Sequence, residues 1–239
     1  MRARPPDFVL IGEATELNLA RAGRGRAEFA IRTQGRPAHA SSPERGVNAV
    51  HKMMRVIERI EALPMPSDPI AGRGVMALTD IISDPYPAHS VVPSGCRATY
   101  ERRLVPGETR EEVTAQLVEA FLAADAPETR IDLATADYTT YAGVEWSEPK
   151  WFPPWMLDAD HPWLLRSSAA LRAAGLAPEL RSYQFCTNAA YSAGVAGVPT
   201  LGFGPSSEAH AHVVDEFVEI EQLLGAARGY RAIAAATLE

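Results

Sequence analysis

Gly35-Arg-Pro-Ala-His-Ala-Ser-Ser-Pro-Glu-Arg-Gly-Val-Asn-Ala-Val50 is the stretch on which the reading of this chain turns. The residues before it alternate as a strand does, with Ala27, Phe29 and Ile31 on one side and Glu28, Ala30 and Arg32 on the other. The residues after it have helical spacing. Val47, Val50, Met54 and Ile57 recur on one face, and Met53 and Ile60 widen it. Between them lies a loop held by Pro37, Pro43 and Gly46, with His39 near its start. A short, stiffened strand-to-helix loop is well placed to present an imidazole to a ligand. Composition alone reads first as a surface loop carrying an incidental histidine.

The whole chain has 239 residues, enough for one large domain or two smaller ones. A formal charge of −7 and the lack of a basic run argue against nucleic acid as a partner. Cys96 and Cys186 are far apart and form no CxxC pair, so a disulfide framework and a cysteine zinc site are both disfavoured. They read as buried, inert thiols in a reducing cytoplasm. No apolar run approaches the roughly 20 residues of a membrane span, and Met-Arg-Ala-Arg-Pro-Pro lacks the apolar core of a signal peptide.

Taken in order, Phe8-Val-Leu-Ile11 is an apolar run of the kind a buried parallel strand needs, and Glu13 stands just past its end. Open α/β sheets place ligands at such ends, although a lone glutamate there reads first as a turn residue. Strands are expected over Ala27–Thr33, Val75–Ile82, Arg97–Leu104 and Ile131–Tyr138. A helix follows Val47, and a second opens at the capping box Thr109-Arg-Glu-Glu112. Pro64 to Gly74 reads as a linker. The order βαββαβ is that of a ferredoxin-like unit, which covers one sheet face with helices and leaves the other face and an edge for association. Glu111 and Glu112 form an adjacent acid pair, and they fit the first turn of a helix better than a catalytic role. Beyond Tyr141 a Trp/Pro-rich segment centres on Trp151-Phe-Pro-Pro-Trp. Asp160 is placed to cap the helix that Pro162 opens. Val198–Phe203 reads as the last buried strand, and an amphipathic helix with Val218, Leu223, Leu224 and Ile233 closes the chain.

Gly-x-x-x-His-Ala-Ser-x-Pro-Glu-x-Gly-Val-Asn-Ala resembles the loop that opens the lid, or dimerisation, domain of the zinc-dependent aminoacylase and carboxypeptidase family. That family includes acetylornithine deacetylase, succinyl-diaminopimelate desuccinylase and glutamate carboxypeptidase. Gly12-Glu-Ala-Thr15 is similar to its Gly-Glu-Pro-Thr, with Ala14 in place of proline. His212-Val-Val-Asp-Glu216 has the spacing of its last metal ligand, which His210 lacks. The Arg102-Arg103 pair and Phe185-Cys-Thr-Asn188 are most similar to a subgroup described as selenium-metabolism-linked putative deacetylases. The resemblance implies an α/β fold: part of a zinc-peptidase-like catalytic domain, residues 1–24 and 142–239, with a ferredoxin-like lid inserted at 25–141. It implies that Glu13 and His212 bind different zinc ions, with cobalt or manganese as substitutes. His39 would reach into a partner protomer's site and stabilise the oxyanion. Thr187 and Asn188 would lie beside substrate, and Arg103 would clamp a substrate carboxylate, with an exposed strand arginine as the other reading. His89 and Ser90 stand where many relatives carry a substrate-contacting asparagine, a departure from the pattern.

The family's His-x-Asp motif, its bridging aspartate and the glutamate pair holding its general base have no match among these residues. The resemblance covers roughly the C-terminal 55–60% of a family member. One ligand per ion does not make a zinc site with three protein ligands. The expectation is a fragment of a metal-dependent amidohydrolase that cleaves N-acyl amino acids or small peptides. The chain alone is expected to bind no metal and to be inactive. It would form a homodimer through the lid, or be completed by a separate chain supplying the missing half. The alternative is a non-catalytic dimerisation or regulatory module, or one half of a split enzyme.

Overall fold

The computed structural model describes residues 4–238. Strand β1 (Val9–Ile11) leads through the Glu13 turn into β2 (Leu19–Gly23), and Arg24 alone separates β2 from the long β3 (Gly25–Gln34). Helix α1 (Ala49–Glu61) follows the His39 loop. It is capped by the Asn48 side chain, which accepts from the Val50 and His51 amides. A small ribbon, β4 (Ser67–Asp68) with β5 (Gly72–Arg73), occupies the segment expected to be plain linker. Next come β6 (Val75–Asp84), β7 (Gly95–Leu104) and helix α2 (Arg110–Ala123). Thr109 and Glu112 form the capping box reciprocally: the Thr109 Oγ1 accepts from the Glu112 amide, and a Glu112 carboxylate oxygen accepts from the Thr109 amide.

The fourth strand differs from expectation. The run 131–138 breaks at Ala134 into β8 (Arg130–Leu133) and β9 (Thr135–Thr139), and β9 turns back as a ribbon with β10 (Glu145–Pro149). The Ala134 amide donates to Glu28 O and its carbonyl accepts from the Lys150 amide, which pins the break to β3. Beyond it lie β11 (Trp151–Phe152), β12 (Trp155–Met156), α3 (Pro162–Ala173), β13 (Leu180–Tyr183), the single turn α4 (Ala189–Ser192), β14 (Thr200–Gly202) and α5 (Ile220–Leu238). The cap of α3 is His161, whose Nδ1 accepts from the Trp163 amide, and not Asp160.

Two sheets result. One has the order β8-β3-β7-β6, all antiparallel, with β11 pairing β3 beyond the end of β8. In the unit's own count this is fourth-first-third-second, the ferredoxin-like arrangement. Its inward positions, Ala27, Phe29 and Ile31 on β3 and Ala98, Tyr100 and Leu104 on β7, are buried against Met53, Val56 and Ile60 of α1 and Val113, Leu117 and Phe121 of α2. The face of α1 is therefore turned from the expected one: Ala49, Met53, Val56 and Ile60 form the buried stripe, and Met54 is exposed.

The second sheet centres on β2. It pairs antiparallel with β14 and β12 and parallel with β13, and β1 lies parallel to β14. Helices α3 and α5 cover it through Leu164, Leu171, Ala226 and Ile233, packed on Leu19, Leu201 and Phe203. Leu223 and Leu224, expected on the buried face of α5, are exposed. The helix instead approaches through small residues. A side chain at Gly229 would collide with the Phe203 ring, and one at Gly225 with Leu17.

Candidate functional site

Because β1 and β14 are parallel, with Ile11 beside Gly202, their carboxyl ends lie together, the place where open α/β sheets gather ligands. Glu13 leaves from one and the His212 loop from the other. The two turns are tied tightly. Thr15 Oγ1 donates to Gly204 O (3.0 Å), the Gly204 amide donates back to Thr15 Oγ1 (2.9 Å), and the Glu16 amide donates to Ser206 O (2.8 Å). Any side chain at Gly204 would strike the Glu13 carbonyl, so glycine is needed for this approach.

Two phenols brace the same turn. Tyr183 lies across Gly202, and its hydroxyl donates to Ile11 O and Glu13 O at 3.3 Å each. Tyr230 donates to Phe203 O at 2.8 Å. Burial and then the nearby Glu13 charge push both phenols above the ordinary tyrosine range, so they remain protonated donors. The segment after β13 carries Thr187 and Asn188, with Thr187 partly buried and Asn188 exposed just ahead of α4. It joins the same assembly through the Gln184 amide, which donates to Glu208 Oε1 at 3.3 Å.

The Glu13 carboxylate itself is exposed, as is His212. His212 sits at φ 60°, a left-handed conformation uncommon outside glycine, and its amide donates to Glu216 Oε2 at 2.8 Å. Glu216 thus closes the loop that presents His212, a structural reason for the four-residue spacing. His210 is engaged differently, stacked on Phe217 with ring centres 4.5 Å apart.

Arg103 points to the sheet face away from α1 and α2. It pairs with Glu101 Oε1 (2.6 Å), while Arg26 takes Glu101 Oε2 (2.8 Å) and also bonds Glu28, which receives Lys150 (2.6 Å). This charged face meets the 184–188 segment. Burial raises the Cys186 thiol pKa, and the Arg103 and Arg26 charges oppose that rise. Cys186 is partly buried and Cys96 fully buried, and both are free. Three residues of this junction escaped the sequence reading. Glu101 was detectable, because an i, i+2 spacing puts it on the Arg103 face of a strand. Arg24, whose Nε donates to Ala71 O at 2.8 Å, carries no periodic signal because it sits between two strands. Burial lowers its pKa, Glu208 opposes this and Arg103 adds to it. Glu208 becomes half-buried only when the 205–216 loop folds back.

His39 is not part of this cluster. Its loop is clamped at the far end of β3, where Arg36 and Val47 exchange backbone bonds (2.9 and 2.8 Å) and His39 pairs antiparallel with Val91. Arg103 pairs with Arg26 at the near end. The ten residues of β3 span about 30 Å between those ends.

A metal site is incomplete here. Among the described residues no group of three or more His, Cys, Asp or Glu side chains is placed to hold an ion. Glu13 and His212 together do not fill a zinc coordination sphere. Residues 21–129 match the peptidase dimerisation domain family.

They form a peptidase dimerisation domain.

Around the dimerisation domain the chain is homologous to longer proteins. It is 30% identical over 231 residues to the uncharacterized protein YgeY of Escherichia coli (strain K12), covering 95% of this chain and 57% of that one. It is 29% identical over 227 residues to acetylornithine deacetylase of Proteus mirabilis, covering 90% of this chain and 52% of the enzyme. The chain thus spans a little over half the length of these relatives. The fold is that of aminopeptidase PepT from Bacillus cereus (TM-score 0.71, 19% identity, 97% of this chain and 57% of that one). It is also that of an M20 family metallo-carboxypeptidase from Sulfolobus solfataricus (TM-score 0.64, 10% identity, 95% and 62%).

Proposed function

We propose that this chain is the lid-bearing part of a metal-dependent hydrolase acting on the amide bond of N-acyl amino acids or small peptides. The observation that carries the reading is the bonding of three loops into one cluster: the Glu13 turn, the 184–188 segment and the His212 loop. Glu13 and His212 each supply one donor to a different zinc ion, with cobalt or manganese able to substitute. Thr187 and Asn188 border the substrate. Arg103, held by Glu101, offers a guanidinium fork to a substrate carboxylate. Zinc in such a centre would activate water and polarise the scissile carbonyl. The donors of this chain do not complete that centre, so the remaining ligands and the general base come from residues outside this sequence. Residues 1–24 with 142–239 belong to the catalytic unit and 25–141 to the lid, a division supported by the separate hydrophobic clusters of the two sheets.

His39 serves the other protomer of a homodimer. The length of β3 supports this, since His39 and Arg103 sit at opposite ends of the strand and cannot meet one small substrate within one chain. A second reading, a half-enzyme completed by a separate polypeptide, is favoured by one surface. Val214, Phe217, Ile220, Leu223 and Leu224 form an exposed apolar strip. Elemental analysis, zinc titration and a deacylation assay test both readings. The chain alone is expected to hold no tight ion and show no turnover. With the complementary polypeptide it should take up zinc and hydrolyse substrate, and Glu13→Ala or His212→Ala should each weaken binding of one ion and abolish turnover. Two tight ions on the chain alone, or turnover that survives both substitutions, overturns the proposal.

A further inference from the structure

We infer that Ser41 is a positioning residue that fixes the tautomer of His39, so that the neutral ring presents Nε2–H as a hydrogen-bond donor. The inference extends the proposed role of His39 in a partner's site, and it rests on that reading for its functional meaning. The geometry is local and specific. The Ser41 amide lies 3.1 Å from His39 Nδ1 and the Ser41 hydroxyl lies 2.8 Å from the same nitrogen. A backbone N–H can only donate, so Nδ1 must offer its lone pair, and in a neutral imidazole the proton then resides on Nε2. The hydroxyl, free to rotate, points its own proton at Nδ1 as well.

The backbone around the ring is held on both sides. The Ser42 amide donates to His39 O (2.9 Å), the Ala40 amide to Ser90 O (3.0 Å) and the Val92 amide to Ala38 O (2.8 Å). The amide that reads Nδ1 therefore sits in a braced turn. The ring is exposed, and Nε2 has no hydrogen-bond partner among the described residues. An oxyanion needs a donor at the position where charge develops. The opposite tautomer would present a lone pair there and repel it. Ser41 supplies the bias through the side of the ring that faces its own loop, as local side-chain-to-backbone bonds in turns commonly do.

The test reads the ring directly, in the chain as it is. Long-range proton–nitrogen NMR of the 15N-labelled protein, at a pH where the ring is neutral, should show Nδ1 unprotonated and Nε2 protonated. A through-bond nitrogen–nitrogen coupling should link Nδ1 to the Ser41 amide. Ser41→Ala keeps the amide and loses the hydroxyl, and should lower the ratio of Nε2–H to Nδ1–H about fivefold. Ser41→Thr should restore it. A wild-type ring that carries its proton on Nδ1, or a Ser41→Ala ring identical to wild type, overturns the inference. These spectra do not depend on catalysis. Failure of the trans reading shows elsewhere: in the completed enzyme, mixed His39→Ala and His212→Ala protomers would then recover no activity.

Discussion

Arg102 is the residue whose surroundings are least expected from its chemistry. The alternation of β7 puts Cys96, Ala98, Tyr100, Arg102 and Leu104 on the inward face, so a guanidinium lies in the core, 2% exposed. Glu108 receives it through Nε at 3.0 Å, Gln116 Oε1 accepts from the guanidinium at 2.8 Å, and Glu108 Oε2 also accepts the Val105 amide at 2.7 Å. Removing one partner of such a pair leaves an uncompensated buried charge. Glu108→Ala should therefore destabilise the fold by about 3–5 kcal/mol in urea unfolding, and replacing both partners, Arg102→Met with Glu108→Gln, should cost clearly less. Glu208 makes a prediction in pH. Burial raises its carboxyl pKa above the ordinary value of 4.5, the Gln184 amide and Arg24 oppose this, and Glu16 adds to it. A raised folded-state pKa means that the native state binds this proton more tightly than the unfolded chain does. The contribution to stability is then full at acid pH and is lost as pH rises from the unfolded value through the folded one. Glu208→Gln keeps an acceptor for the Gln184 amide and should flatten that part of the stability–pH curve, with a higher melting temperature at neutral pH.

At the scale of elements, two close approaches set the geometry. Gly35 meets the start of α1 so tightly that a Cβ there would lie 2.0 Å from Val47 O, a collision with backbone that cannot move aside alone. Gly35→Ala should part the Arg36–Val47 pairing, cost about 1–3 kcal/mol and shift the NMR signals of the His39 loop. The other approach is α5 on its sheet. Glycine and alanine at Gly225, Ala226 and Gly229 let the helix axis come near, and larger residues were never candidates for that stripe. Leu224 is 53% exposed, so Leu224→Lys should change the stability of the isolated chain by no more than about 0.5 kcal/mol. A large loss on chemical denaturation would mean that the strip is covered in solution.

At the scale of the whole molecule, the dimerisation domain offers one long free edge. β6 lies at the margin of its sheet, with Val75, Ile81 and Ile82 exposed, and an apolar unpaired strand is a template for pairing with another chain. We expect light scattering to give twice the monomer mass. Ile81→Asp should shift the protein to monomer without unfolding it, since that side chain is 44% exposed. Unchanged dimer mass in this variant would place the interface elsewhere, on the helix face of the domain.

The sequence by itself determined what depends on neighbours in the chain. The alternation of Ala27, Phe29 and Ile31 fixed a strand and its inward face, and Thr109 with Glu112 fixed the start of α2, because periodicity and capping are local. The βαββαβ order was legible for the same reason, and so was the placing of Glu13 at a strand end. Tertiary structure decided whatever depends on the shape of what lies opposite. It chose Met53 over Met54 for the core and the small residues of α5 over its leucines, because burial follows the surface a helix is pressed against and not its hydrophobicity alone. It split the last strand at Ala134, where bonds to Glu28 and Lys150 outweighed strand propensity. It gathered Glu13, the 184–188 segment and the His212 loop and sent His39 to the other end of β3. Those separations in space are set by strand pairing between residues far apart in sequence, which no local pattern encodes.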